Sequence, residues 1–146
     1  MKKAGGGTAI DAKEKTADGP LVAIVDDDVS VRRSTRRLLS SAGLRAEAFA
    51  SAEDFLQSGC VVETDCLILD LSMPGMNGLE LQRRLIETGR QIPIVFLSAR
   101  ASEEEERHAL RAGAASFLRK PVSKEALLLA IRNALMTPPN EERKMP

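Results

Sequence analysis

The sequence predicts an α/β fold in which helices cover both faces of a parallel, five-stranded sheet. From residue 20 to residue 136, short apolar runs rich in Val, Ile and Leu alternate with segments whose apolar residues recur at helical spacing. Such alternation is typical of a doubly wound sheet with right-handed crossover connections. The chain has 146 residues, of which 43% are hydrophobic and 29% are charged, and these values indicate one globular domain.

The first half of the domain is predicted to hold two strands and two helices. Leu21–Val25 is a continuous apolar run of the kind that is buried on both faces of a sheet. Residues 29–42 form a predicted helix with apolar residues on one side and arginines on the other, and Asp28 before it is either an N-cap or an exposed acid. A second strand at residues 44–49 and a short helix over residues 51–58 follow.

The third strand is predicted at Cys66–Asp70, where an apolar run ends in a carboxylate. Paired Pro-Gly and Asn-Gly residues then indicate a turn-rich loop. The helix that follows is predicted over residues 79–88, and its spacing directs Leu81, Leu85 and Ile86 toward the core.

The fourth strand is predicted at residues 92–97, although Pro93 weakens its beginning. Ser102 and Glu105 form a capping box that starts the next helix. This helix offers only Leu110 and a few alanines to the core, so we expect it to be loosely held.

The last strand and helix are predicted at residues 115–119 and 123–136. Five strands that alternate with five helices fit the flavodoxin-like strand order 2-1-3-4-5. We expect the ordered domain to span residues 20–136, between a disordered arm at residues 1–19 and a tail, or the start of a linker, at residues 137–146.

Polar residues stand where the predicted strands end: Asp26 and Asp27, Asp70, Ser98 and Lys120. The carboxyl ends of parallel strands share one edge of the sheet, so these side chains are expected to meet there. The aspartate pair alone fits a solvated turn or helix cap equally well, and only the combination with Asp70 and Lys120 favours a functional pocket. Clustered carboxylates repel one another and therefore favour a divalent cation and a basic partner.

The residues in this pocket suit phosphoryl chemistry. Mg²⁺ prefers oxygen ligands, which Asp27 and Asp70 offer directly and Asp26 offers through a water molecule. Asp70 stands alone on the central strand and is our choice of nucleophile for an aspartyl phosphate. Lys120 and the metal would offset the negative charge of the phosphoryl group, and Ser98 would donate a hydrogen bond to it. The sequence lacks the G-x-x-x-x-G-K-[ST] loop that binds a nucleotide, so the phosphoryl group is expected to come from a donor outside this chain.

These motifs resemble a known family: Asp26-Asp27, the segment 70–78, Ser98-Ala99 and Lys120-Pro121 look like the receiver domain of two-component response regulators. The resemblance covers residues 20–136. It implies transfer of a phosphoryl group to Asp70 from a histidine kinase or a phosphotransfer protein. It also implies that Asp27, Asp70 and the backbone carbonyl of Ser72 hold Mg²⁺, with Asp26 acting through water.

The resemblance further implies a conformational switch that follows phosphorylation. Ser98 would move toward the phosphoryl group, and Phe117, which stands where many relatives have tyrosine, would rotate inward. The bond between Lys120 and Pro121 is usually cis in this family. We add the hypothesis that Arg100, together with Ser72, tunes the lifetime of the phosphoryl group by controlling the access of water.

Composition and length set further expectations about partners and location. Lys plus Arg and Asp plus Glu both number 21, which argues against general nucleic-acid binding. The residues beyond the last helix are too few for a DNA-binding output domain, and no apolar run is long enough to cross a membrane. Two closely spaced cysteines fit a reducing, cytoplasmic setting. Excess apolar residues on the last helix leave open a homodimer through the fourth helix, fifth strand and fifth helix.

Two other functions remain open on the sequence alone. The segment 26–30, Ser98 and Lys120 also resemble motifs of haloacid-dehalogenase-type phosphatases, in which Asp26 would be the nucleophile. That family needs a further pair of acids after a later strand, which the sequence lacks beyond Lys120. A receiver fold that serves only as a scaffold is the other alternative. We expect a phosphoacceptor signalling domain that catalyses only its own phosphorylation and dephosphorylation, and not an enzyme.

Overall fold

The structure is a computed structural model that describes residues 19–136. The arm expected at residues 1–19, apart from its last residue, and the tail expected at residues 137–146 lie outside the described residues. Among the helices of the described part, none combines the length and the apolar character that a membrane crossing requires.

Five strands form one parallel sheet in the order β2-β1-β3-β4-β5, as the sequence predicts. They are β1 (Leu21–Val25), β2 (Arg45–Phe49), β3 (Cys66–Asp70), β4 (Ile94–Ser98) and β5 (Ser116–Arg119). β1 therefore lies between β2 and β3, and the strand order reverses between β1 and β3. In doubly wound folds a ligand binds at such a reversal, outside the carboxyl ends of the strands.

Five α-helices connect these strands in the described residues: α1 (Val29–Ser41), α2 (Ala52–Gln57), α3 (Gly78–Glu87), α4 (Glu103–Arg111) and α5 (Lys124–Met136). Their number and order confirm the predicted alternation. One turn of 3₁₀-helix at Val61–Glu63 was not predicted, because three residues are too few to show a periodic pattern. Helices and strands begin and end within two residues of the predicted positions.

The strands divide the core into two layers, because successive side chains of a strand point to opposite faces. Ala23 and Val25 of β1 pack in the layer covered by α2, α3 and α4, whereas Val22 and Ile24 pack in the layer covered by α1 and α5. All five residues of β1, of β3 and of β4 are buried. The sheet centre is therefore a closely packed platform for the residues that follow its strands.

Polar side chains cap the N-termini of three helices. Asp28 accepts hydrogen bonds from the backbone N–H groups of Ser30 and Val31, which confirms it as the N-cap of α1. Ser102 and Glu105 form the predicted capping box of α4. A second capping box, made by Asn77 and Glu80 at the start of α3, was not predicted.

Two side chains that the sequence directs toward the core lie at the surface instead. Ile86 is 52% exposed and Leu110 is 43% exposed. Each follows a buried residue, Leu85 or Ala109, and one step along a helix turns a side chain by roughly 100°. The buried apolar face of each helix therefore includes Leu85 or Ala109 but not the residue that follows it. β4 begins at Ile94, and not at residue 92, because Pro93 has no N–H to contribute to the ladder.

Candidate functional site

The three predicted aspartates meet at the reversal of strand order. Asp26 and Asp27 follow β1, Asp70 ends β3, and each offers a carboxylate oxygen within 4.8 Å of the others. Asp26 is 2% exposed and Asp70 is 6% exposed, whereas Asp27 lies at the surface. The cluster is thus enclosed on the strand side and open to solvent at Asp27.

Lys120 brings the basic group that the pocket was predicted to need. Its Nζ donates a hydrogen bond to Asp26 Oδ2 at 3.0 Å and lies 3.9 Å from Asp70 Oδ1. The backbone N–H of Lys120 donates to the carbonyl of Ser98 at 2.9 Å, which fixes the lysine beside the end of β4. The peptide bond between Lys120 and Pro121 is cis, as the family resemblance implies. Side chains from three separate strand ends therefore converge on one locus.

The surroundings of Asp70 shift the pKa of its carboxyl. Burial raises the pKa of its carboxyl, and the negative charges of Asp26 and Asp27 raise it further. The Lys120 ammonium and a backbone hydrogen bond from Ser72 lower the pKa, but the raising contributions are larger. The net result raises the pKa of Asp70 to about 6. The carboxylate is still mainly ionised at neutral pH, which a nucleophile or a metal ligand requires.

The loop after Asp70 is held by two contacts that the sequence did not reveal. A Cβ atom at Gly78 would lie 2.6 Å from the carbonyl oxygen of Asp70 and 3.0 Å from the ring of Phe96. Only glycine therefore lets α3 begin directly against the end of β3. The Glu53 carboxylate accepts a hydrogen bond from the backbone N–H of Met76 at 3.0 Å, and this bond lowers the pKa of Glu53. The sequence predicted a turn-rich loop here, but it did not predict which residues contact that loop.

Ser98 and Phe117, the predicted switch residues, lie on the β4–β5 side of the pocket. Ser98 is completely buried at the end of β4, and its Oγ accepts a 3.4 Å hydrogen bond from the backbone N–H of Arg100. Asp70 pairs in register with Leu97, so Ser98 lies one residue beyond the level of the carboxylate. Phe117 stacks on Phe96, with ring centroids 5.6 Å apart. Arg100 is exposed, and its role in controlling the access of water stays a prediction.

The donor set fits a hard divalent cation. Three carboxylates supply oxygen ligands, and oxygen is the element that Mg²⁺ selects in proteins. One ammonium against three carboxylates leaves excess negative charge in a largely buried pocket, and a dication would compensate it. Ser72, whose carbonyl is the fourth predicted ligand, lies at the surface two residues beyond Asp70.

Comparison with known proteins agrees with this geometry. The model of the response regulator receiver domain family matches residues 22–132. The chain is 43% identical over 126 residues to the response regulator protein TmoT of Ectopseudomonas mendocina, covering 86% of this chain and 57% of that protein.

Solved structures show the same similarity. The response regulator StyR shares 44% identity and a TM-score of 0.77, over 86% of this chain and 63% of that one. A response regulator receiver protein from Burkholderia phymatum shares 39% identity and a TM-score of 0.70, over 82% of this chain and 98% of that one.

The chain spans about half the length of the curated relatives it matches, from 49% to 57%. The family match nevertheless includes all five strands, apart from Leu21, and all residues of the acidic pocket. The acidic strand ends, the bridging lysine and these similarities together place the chain in the family of response regulator receiver domains of two-component systems.

Proposed function

We propose that this domain accepts a phosphoryl group on Asp70 and thereby controls a partner or an output domain. The choice of Asp70 over Asp26 rests on how their oxygens are used. Asp26 Oδ1 accepts a hydrogen bond from the backbone N–H of Asp28 at 2.9 Å, and Asp26 Oδ2 accepts one from Lys120 at 3.0 Å. Lys120 lies farther from Asp70, at 3.9 Å, so the Asp70 carboxylate is freer to react.

The proposed donor is a phosphohistidine on a histidine kinase or a phosphotransfer protein. A carboxylate oxygen of Asp70 attacks the phosphorus atom, a new O–P bond forms, and the P–N bond breaks. The imidazole leaves with the electron pair of that bond and takes up a proton. The phosphoryl oxygens gain a neighbouring cation in Lys120, which already lies within ion-pair distance of Asp70.

Asp27, Asp70 and the backbone carbonyl of Ser72 are the proposed direct ligands of Mg²⁺, and Asp26 is proposed to act through a water molecule. The bound ion would supply positive charge next to the transferring oxygens. Lys120 keeps Asp26 oriented toward the cluster through its 3.0 Å hydrogen bond. The buried walls around Asp26 and Asp70 keep bulk water away from two of the three carboxylates.

Ser98 and Phe117 are the proposed readers of the phosphorylated state. Ser98 has its hydroxyl at the strand end next to Asp70, and Phe117 packs in the same core layer as Phe96. A shift of Ser98 toward the phosphoryl group would alter the segment that leads to α4. Arg100 and Ser72, both exposed at the rim, are proposed to tune how long the phosphoryl group persists. This role makes the domain a switch and not an enzyme acting on a separate substrate.

The proposal is tested by incubating the protein with Mg²⁺ and a small phosphodonor such as acetyl phosphate, followed by intact-mass measurement. We expect the wild type to gain one phosphoryl group and Asp70→Asn to gain none. Asp54→Asn, a change at an exposed acid on α2, is the matched control and should label as the wild type does. EDTA should suppress labelling, because the carboxylates then lack their cation.

The outcomes separate the alternatives. Label that persists in Asp70→Asn but disappears in Asp26→Asn would favour the phosphatase chemistry. A wild-type protein that stays unlabelled, both with the small donor and with a phosphorylated kinase, would favour a scaffold role.

We also propose a homodimer that forms on phosphorylation through α4, β5 and α5, in a cytoplasmic setting and without direct contact to nucleic acid. Exposed apolar side chains on these helices support the dimer: Leu110, Leu129 and Met136. Cys60 and Cys66 are both free, which supports a reducing compartment. Sedimentation with and without the phosphodonor tests the dimer, and Leu129→Glu should abolish it.

A further inference from the structure

α4 is attached to the domain by few apolar contacts. Its buried residue is Ala109, one of the smallest side chains, and the neighbouring Leu110 is 43% exposed. By contrast, α5 buries Leu127 and Ile131 together with two alanines. The position of α4 must therefore depend strongly on polar contacts, and the structure shows two sets of these at different points along the helix.

The first contact holds the C-terminal half of α4. Gln82 on α3 is 2% exposed, and its Nε2 donates a 3.0 Å hydrogen bond to the backbone carbonyl of Ala109. Breaking this bond would deprive the buried Gln82 amide of its hydrogen-bond acceptor, whereas the Ala109 carbonyl would keep the N–H of Ala114, which donates to it at 3.1 Å. Such unpaired buried groups are costly, so this end of the helix is firmly held.

The second set holds the N-terminal half, and Arg119 on β5 makes all of it. Arg119 Nη2 lies 2.7 Å from Glu106 Oε1, and Arg119 Nη1 donates to the backbone carbonyl of Ala101 at 2.8 Å. The same guanidinium lies 5.6 Å from the ring centroid of Phe117. The Arg119 and Glu106 side chains are 43% and 32% exposed, so water can replace these contacts at much lower cost.

From this asymmetry we propose that α4 pivots about its bond to Gln82, and that Arg119 is the releasable clasp of its N-terminal half. Arg119 is a positioning residue, because it contacts the segment after Ser98, the ring of Phe117 and α4 at once. Ala101 follows Ser98 by three residues, so a shift of the serine displaces the carbonyl that Arg119 holds. The proposal rests on the proposed function only for what triggers the release.

Residue-resolved amide hydrogen exchange of the full chain, measured by NMR without metal, tests the clasp. In Arg119→Ala we expect the amides of Glu106, Arg107 and His108 to exchange on the order of tenfold faster, because charge-assisted hydrogen bonds are lost. The amide of Ala112, near the pivot, should change less than about twofold. Arg119→Lys should restore part of the protection, since it keeps a cation near Glu106.

Two further variants give the pattern its specificity. Gln82→Met conserves length and volume but removes the hydrogen bond, and it should speed exchange at the C-terminal half of α4 instead. Arg107→Ala is the matched control, because Arg107 is an exposed arginine of α4 that makes no ion pair within residues 19–136. Equal loosening of both halves in Arg119→Ala, or no change in either half, would overturn the proposal.

A second arm adds Mg²⁺ and beryllofluoride, a phosphoryl analogue, and follows binding by ¹⁹F NMR. In the wild type the N-terminal half of α4 should change its protection, whereas Arg119→Ala should bind the analogue without that response. A wild-type response that survives intact in Arg119→Ala would reject the coupling. If the wild type binds no analogue, the proposed function fails, and the exchange pattern without metal still decides whether Arg119 is a clasp.

Discussion

The two sides of the pocket are built differently. On one side, every residue of β1 and of β3 is buried, and these strands carry Asp26 and Asp70 at their ends. On the other side, β5 has no fully buried residue and α4 buries Ala109. The carboxylates thus follow strands that are buried throughout, and the residues proposed to report their state adjoin elements that are only partly buried.

This difference teaches how one small fold can combine chemistry with signalling. Phosphoryl transfer needs reacting groups held in a fixed geometry, which close packing supplies. A switch needs an element that can move at low cost, and elements with few buried contacts have that property. Ser98 lies at the boundary, since β4 is buried throughout and the segment that follows leads to α4.

A pair of leucine truncations should show the largest effect. Leu69→Ala removes a completely buried side chain from β3 and should cost about 2–5 kcal/mol of unfolding free energy. Leu110→Ala, the same change on the exposed face of α4, should stay within about 0.5 kcal/mol. Urea unfolding monitored by circular dichroism measures both. Similar losses at the two positions would mean that the two sides are equally packed.

A glycine pair tests the packed side next to the carboxylate. Gly78→Ala forces a Cβ to within 2.6 Å of the Asp70 carbonyl oxygen and should cost roughly 2–3 kcal/mol. It should also slow phosphorylation, because α3 can yield only by displacing the end of β3. Gly89→Ala is the control: its φ is +82°, and a Cβ there meets no described atom within 4 Å, so the cost is conformational strain of about 1 kcal/mol.

Phosphorylation kinetics with acetyl phosphate distinguish these two glycine variants more clearly than stability does. Gly89→Ala should react at the wild-type rate. A Gly78→Ala protein that also reacts at that rate would show that the Asp70 position does not depend on this close approach.

The smallest expected effect concerns the acidity of Asp70. Its pKa is raised from 3.8 to about 6 in the folded protein. Between about pH 4 and pH 6, the native state therefore holds a proton that the unfolded state has already released. The stability linked to this proton is complete below about pH 4 and is lost as the pH rises through about 6. Ionised Asp70 therefore destabilises the metal-free protein at pH 8. Asp70→Asn should recover about 1–2 kcal/mol there and almost nothing at pH 4.

Urea unfolding in EDTA at the two pH values checks this sign. Asp54→Asn, at the exposed acid of α2, is the matched control variant. A stability gain in Asp70→Asn that is larger at pH 4 than at pH 8 would contradict the direction of the pKa change.

Much of the packed side was predictable because its signals are local. Continuous apolar runs located β1 and β3, and the charged residues that follow them predicted the pocket, including Lys120 from far along the chain. The strand order supplied the remaining step, since parallel strands in that order must bring their ends together. Asp28 and Ser102 were likewise recognised as caps from their immediate neighbours.

The loosely packed side was less predictable, because its contacts join residues that share no local pattern. Gln82 and Arg119 read as ordinary polar residues until their partners on α4 are seen. Leu110 was expected in the core. The helix has nine residues and buries only Ala109, so its apolar periodicity is too weak to determine which face packs against the sheet. Glu53 is a further example, since its partner Met76 lies on a separate loop.

Within residues 19–136, the strand order leaves β2 and β5 with one unpaired side each, and such exposed backbone can act as a template for strand addition and aggregation. Both edge strands carry charged residues, which disfavour such strand addition. Arg45 and Glu47 occupy β2, and the four-residue β5 ends at Arg119. Replacing these charged residues with β-branched residues would keep the fold but would favour edge-to-edge strand pairing between copies of the chain.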